Sequence, residues 1–435
     1  MDYRTIKNKN YNLHIINTDK FKTINLMINF KRKIKKEEIT IRNLLNDILI
    51  NTSMNYKTSR DIEIETEELY DLGISSNPHK SGNYHIISFK ESFLNEKYTE
   101  DGMNLKSMQF LLELIFNANV SDNKFDKKYF ELIKRTIEDD IKSLKDDTKK
   151  YSLIRLYEEM DSGPLSYRTA GYLEDLDKIT ETNLYDYYKS VIENDIIDIF
   201  VIGNINDTYE QLFNKYIPDT IRIKDSTPHY LNLEINDEQE KRELTKINQS
   251  KLSIGLKIKD ITDYELKYVV SLYSLILGGS SNSKLFKVVR EENSLCYYIN
   301  SSVSVISKII TIMAGINSKD YEQTMKLIRN ELNNIKEGNF SDSDIKEAKK
   351  IYTSGCKEIY DSPGSIINNY LSYEYANLDL AIDRINNIKN VTKEEIVALA
   401  NKVVIDTIFL LEGTGSDEEA NIMWFRYRCL LWNIR

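Results

Sequence analysis

Residues 179–203, ITETNLYDYYKSVIENDIIDIFVIG, and residues 391–413, VTKEEIVALANKVVIDTIFLLEG, follow one pattern. Each offers a threonine as helix N-cap, then apolar residues at helical spacing, then a short apolar run that ends on glycine. A helix leading into a buried strand is written twice, some 210 residues apart. Working outward from this pair, the repeat extends upstream. FDKKYFELIKRTIEDDIKSLKDD (125–147) parallels FSDSDIKEAKKIYTSGCKEIYDS (340–362), both amphipathic helices opened by a capping Asp or Ser. HIISFKESF (85–93) parallels IITIMAGINS (309–318), each strand-like and followed by a polar break and a further helix. KTINLMINF (22–30) and SKLSIGLKI (250–258) alternate like edge or half-buried strands. The fold class that follows is α+β, a tandem duplication of one unit of about 200 residues, which is a normal domain size.

The expected division is therefore an N-terminal domain over 1–216, a linker over 217–245, a C-terminal domain over 246–413 and an atypical tail over 414–435. The linker expectation rests on two of the five prolines and on the charged run EINDEQEKRELT. The tail, ending IMWFRYRCLLWNIR, holds both tryptophans and has no counterpart in the repeat. It reads either as a docking helix or as a frameshifted end.

Composition narrows the function. A length of 435 residues with 41% hydrophobic and 29% charged residues is globular and too long for one core. The formal charge of −9 argues against a nucleic-acid partner, which needs a basic face. No window reaches the apolar length that spans a bilayer. The start, MDYRTIKNKNYNLHIINTDK, has no apolar core of a signal peptide. Cys296, Cys356 and Cys429 form no CxxC and no even framework, which fits a reducing, cytoplasmic setting.

One segment stands out for chemistry. LYSLILGGSSNSKLFKVVREENSLCYYINSSVS (272–304) runs helix, Gly-Ser break, helix, loop, strand. Gly278 and Gly279 end the first helix. Lys284–Arg290 forms the second, with Arg290 at its C-terminal end. Tyr297 begins a strand that places Tyr297, Ile299, Ser301, Val303 and Val305 on one face. An arginine fork and a neutral tyrosine hydroxyl are both donors, able to hold a carbonyl and stabilise an oxyanion. Arginines at helix ends and tyrosines at strand starts are also common without function.

GGSSNSKLFKVVREENSLCYYI (278–299) resembles the second-domain signature of the pitrilysin/insulinase family of zinc peptidases: a glycine pair, serines, a Leu-Phe helix, Arg-Glu, then Leu-x-Tyr. GPLSYRTAGYLEDLDKIT (163–180) is similar to a first-domain stretch of the same family. The resemblance spans about residues 10 to 413. It implies duplicated insulinase-like halves that enclose a chamber with a partner. It also implies that Arg290 and Tyr297 reach a substrate, with Gly278, Gly279, Ile299 and Ser301 lining the peptide.

That family holds zinc on an H-x-x-E-H helix. Here the corresponding stretch, RNLLNDILINTS (42–53), reads Asn43-Leu44-Leu45-Asn46-Asp47, and Asp140 falls at the later acidic ligand. Asn43, Asn46, Asp47 and Asp140 form a degenerate metal motif and a poor zinc site. His14, His79, His85 and His229 do not repair it, and each reads as a lone surface or strand histidine. Cys296 lacks a neighbouring base that would make it a nucleophile.

The expectation is a chain without metal of its own, paired with an H-x-x-E-H-bearing subunit that carries the zinc. Two readings stay open. One is a non-zinc subunit supplying Arg290 and Tyr297 in trans, with the strand at 299–305 taking the peptide by β-augmentation. The other is an inactive scaffold or peptide-binding protein of the same fold.

Overall fold

The computed structural model describes residues 1–205, 209–222 and 227–415. The tail from residue 416 onward lies outside the described residues, so neither reading of it can be placed. The chain forms two compact units, and neither is one contiguous stretch. The first comprises 1–143, 167–229 and 360–376; the second comprises 144–166, 230–359 and 377 onward. Each sequence half thus gives one helix-bearing segment to the unit built mainly by the other half.

The first unit holds β1 (Asp2–Lys7), β2 (Asn12–Asn17), β3 (Thr23–Lys33), β4 (Gly73–Ser81) and β5 (Tyr84–Leu94). A two-residue hairpin, β6 (Val120–Ser121) and β7 (Lys124–Phe125), precedes β8 (Ile196–Gly203). Six of these strands form one sheet in the order β1-β2-β8-β3-β5-β4, with β2 and β8 parallel. The second unit holds β9 (Gln239–Thr245), β10 (Ser250–Ile258), β11 (Cys296–Ser304), β12 (Ile309–Ile316) and β13 (Val403–Gly413). Their order is β11-β12-β10-β13-β9, with β13 and β9 parallel. Counting outward from β3 and β10, the two sheets repeat the same order, with β1 an additional strand at one edge of the first. The last residues of the expected linker, 239–245, are strand β9.

Local chemistry explains the repeat. Thr180 and Thr392 each cap a helix (Glu181–Asn194 and Lys393–Lys402) through a reciprocal capping box. Asp126 and Ser341 cap the long amphipathic helices Lys127–Lys142 and Asp342–Glu358. One face of each sheet is covered by helices of its own half, giving cores that include Leu44, Leu111, Ile199 and Val201 in one unit and Leu272, Ile276, Ile312 and Ile408 in the other.

The strands β3 and β10 are central and buried on both faces, not edge or half-buried as their alternation suggests. The reason is the segment exchange. Helix Thr148–Met160 lies on the outer face of the second unit's sheet, where Tyr151, Leu156 and Met160 meet Phe409 and Leu411. Helix Pro363–Ala376 does the same in the first unit, where Tyr375 meets Tyr84 and Ile86.

Beneath each exchanged helix sits a buried lysine–aspartate pair. Lys31 on β3 lies 3.4 Å from Asp198 on β8, and Lys257 on β10 lies 2.8 Å from Asp406 on β13. The Tyr375 hydroxyl donates to Asp198 at 2.8 Å, and the Lys31 ammonium stands 4.2 Å over the Tyr375 ring. Lys257 donates to the carbonyl of Met160 at 3.1 Å. Both pairs therefore tie the exchanged helix to the sheet with charge-assisted bonds in a dry setting.

Candidate functional site

In the first unit the degenerate motif lies on helix Ile39–Asn51. Asn43 and Asn46 are buried, and both spend their amide protons internally. Asn43 donates to the carbonyl of Thr169 at 2.8 Å; Asn46 donates to Asp47 Oδ1 at 2.7 Å and to Ser76 Oγ at 2.8 Å. Burial, with a smaller contribution from the charge of Asp140, pushes the Asp47 carboxyl above its ordinary value. The motif positions are thus brought together, but as two carboxamides, one reluctant carboxylate and one exposed carboxylate. Zinc demands imidazole, thiolate or freely ionised carboxylate, so the donor set does not fit it. Among the described residues no three His, Cys, Asp or Glu side chains gather as a metal cluster.

The four histidines all lie in the first unit, and three are buried rather than at the surface. His85 accepts from Arg42 Nε at 2.8 Å, and burial, then the Arg42 charge, holds it neutral. Arg42 is itself buried and pairs with Asp195 at 2.9 Å. His14 stacks on Phe200 at 4.2 Å, and His229 stacks on Tyr84 at 4.1 Å. Each is a packed aromatic with a polar rim.

In the second unit, helix Val270–Leu277 ends on Gly278, as expected. A Cβ on Gly278 would meet the Ser301 amide nitrogen at 2.8 Å, so glycine allows the helix end to touch β11. Ser301 donates its backbone N–H to Gly278 O at 3.0 Å, and its hydroxyl bonds Ser274. Gly278, Ile299 and Ser301 are buried within the unit, while Gly279 is exposed. β11 is the terminal strand of its sheet, and at Ser301 its backbone N–H is already taken by the Gly278 carbonyl.

The second helix is wound as a π-helix over Phe286–Glu292, and Arg290 sits in its last turn. π-Winding is rare and concentrates at functional sites. The turn to β11 is tight. Ser294 takes a left-handed φ of 55°, and its N–H reaches Arg290 O at 3.1 Å while the Leu295 N–H reaches Val289 O at 3.0 Å. A register shift between Cys296 and Tyr298 makes Tyr297 the extra residue of a bulge. That bulge corrects the expected alternation. Tyr297 does not share the buried face of Ile299 and Ser301 but is 64% exposed.

Arg290 is also exposed, and among the described residues no carboxylate pairs with it. Its guanidinium carbon stands 4.6 Å from the centroid of the Phe286 ring. Both donors are therefore presented outward from the two ends of one short turn. Cys296, between them, is buried. Burial pushes its thiol up to about 11 against the opposing charge of Arg290, so it is no nucleophile at neutral pH.

Sequence reasoning missed Lys31, Asp198, Lys257, Asp406 and Phe286. The signal for two of them was present: an aspartate inside the apolar runs IIDIFVIG and VIDTIFLLEG needs a buried partner.

The family pattern described as peptidase M16 inactive domain matches residues 178–352. A probable inactive metalloprotease, YmfF of Bacillus subtilis (strain 168), is 31% identical over 407 residues, covering 92% of this chain and 95% of that protein. An uncharacterised zinc protease of the same strain, YmxG, is 22% identical over 71% of this chain and 76% of its own length. The crystal structure of a conserved protein from Enterococcus faecalis V583 superposes with a TM-score of 0.88 at 28% identity, over 95% of this chain and 99% of that one. Among the described residues, no helix is long and apolar enough to cross a membrane.

Proposed function

The chain belongs to the peptidase M16 family, beside a relative described as a probable inactive metalloprotease, and from that premise we propose that it is the zinc-less subunit of a two-chain cytoplasmic peptidase. A partner bearing H-x-x-E-H supplies zinc, water and general base. This chain supplies Arg290 and Tyr297 to a peptide held at that zinc. The observation that carries the reading is the exposure of both side chains at the ends of one tight turn, with no hydrogen-bond or ion-pair partner among the described residues. A forked guanidinium and a phenol donor fit a carbonyl oxygen that gains charge as a tetrahedral intermediate forms. The terminal position of β11 supports peptide binding by strand addition along the part of its edge outside Ser301, whose N–H is taken by the Gly278 carbonyl. That one Bacillus strain holds an inactive-type relative and a zinc-protease relative fits a division of labour.

The test is copurification of the full chain from its native cells, followed by peptide hydrolysis with and without chelator. The expected result is a second chain bearing H-x-x-E-H and zinc-dependent cleavage by the pair. Arg290→Ala should then lower turnover by roughly 100-fold or more, the scale of losing one oxyanion donor, while the complex persists. Full activity of that variant would leave the scaffold reading, which the erased and buried zinc motif alone supports.

A further inference from the structure

Helix Phe286–Glu292 is fixed to the core of its unit by Leu285 and Val289, both fully buried. Phe286 is not needed for that anchoring. Its ring is half-buried and lies outside the buried core cluster, yet the Arg290 guanidinium carbon stands over it, 4.6 Å from its centroid. Phe286 and Arg290 lie four apart on this π-wound segment, close to one turn along its surface. The neighbouring carboxylates Glu291 and Glu292 are exposed and make no ion pair with Arg290 among the described residues. A long exposed arginine would ordinarily spread over many rotamers, and collecting it costs entropy when it binds.

We infer that Phe286 is a positioning residue for Arg290. The ring occupies one face of the guanidinium, fixes its plane and leaves the N–H edge free for a planar acceptor such as a peptide carbonyl or carboxylate. A cation over an aromatic face is attractive without consuming any hydrogen-bond donor. A carboxylate in the same place would occupy the fork that the substrate needs. This inference rests on the trans-acting reading of Arg290.

The test uses the copurified two-chain complex and peptide hydrolysis. Phe286→Leu keeps an apolar, similar-sized side chain but removes the ring. It should lower kcat/KM roughly three- to fivefold, the range of an exposed cation–π contact, with the thermal midpoint unchanged. Phe286→Tyr keeps the ring and should restore the rate to within about twofold of the parent. In an Arg290→Lys background, where no planar fork remains to be oriented, Phe286→Leu should cost less than in the parent, which a merely structural role would not produce. A wild-type rate for Phe286→Leu beside a crippled Arg290→Ala overturns this inference alone. An unimpaired Arg290→Ala removes the trans-acting reading and this inference together.

Discussion

The two units carry one architecture with opposite fates for their special residues. In the first, Asn43 and Asn46 are 6% and 0% exposed, and their amides are spent on Thr169, Asp47 and Ser76. In the second, Arg290 and Tyr297 remain at the surface, and among the described residues neither side chain makes a hydrogen bond. Burial directs these amide N–H groups to partners within the fold, although both carboxamide oxygens remain without one among the described residues. An exposed donor pair offers the fold nothing of the kind. The contrast separates residues that stabilise the chain from residues that the chain presents.

Beneath that contrast the units share a device, and breaking it gives the largest expected effect. Asp198→Ala and Asp406→Ala each leave a buried lysine without its counter-charge, at a cost of about 3–5 kcal/mol. Urea unfolding of the two variants should show comparable losses; a loss in only one would mean that the pairs are not equivalent clamps.

A smaller effect distinguishes the clamps. Two residues before Lys257 stands Gly255, where a Cβ would lie 2.2 Å from Met160 Sδ; two before Lys31 stands Asn29, whose amide reaches the Tyr375 hydroxyl at 3.3 Å. Gly255→Ala should cost about 1–3 kcal/mol through overpacking, read as a lower midpoint in the same urea experiment.

Acid sharpens the comparison further. Burial alone would raise the Asp198 carboxyl, but the His14 imidazole 3.9 Å away, the Lys31 charge and a bond from Asn12 overcome this and hold it well below the usual range. A carboxyl depressed in the folded state stabilises above its unfolded value, near 3.9, and that contribution is lost as pH falls below about 4. Glu91, buried in β5, has the opposite sign: burial pushes its carboxyl well up. The folded state therefore holds a proton that the unfolded state releases, and stability drops as pH rises past the unfolded value near 4.3. Glu91→Gln should raise the thermal midpoint at pH 7 and leave it nearly unchanged at pH 4. Equal midpoints at pH 7 would refute the burial argument.

The smallest effect is the most symmetric. Thr180→Ala and Thr392→Ala each remove a capping box and should each cost about 1 kcal/mol. Matching shifts in calorimetry would show that the repeated local signal has the same weight in both units.

Much of this was legible from residues alone. Caps, amphipathic helices and apolar strands are set by neighbours in sequence, so the repeat of 179–203 in 391–413 exposed the duplicated α+β order. The resemblance of residues 278–299 to a known signature, not spacing alone, singled out Arg290 and Tyr297, and the same resemblance pointed to Asn43–Asp47. Tertiary structure decided the rest, because it depends on contacts between distant segments. Local alternation made β3 and β10 look half-exposed; helices from the opposite sequence half bury their second face. Strand periodicity put Tyr297 beside Ile299; a bulge, fixed by pairing with β12, turned it outward. The lysine–aspartate clamps join residues about 150 or more positions apart. Sequence determined which elements form and which donors remain, while only the fold decided which side chains the protein keeps for itself and which it offers.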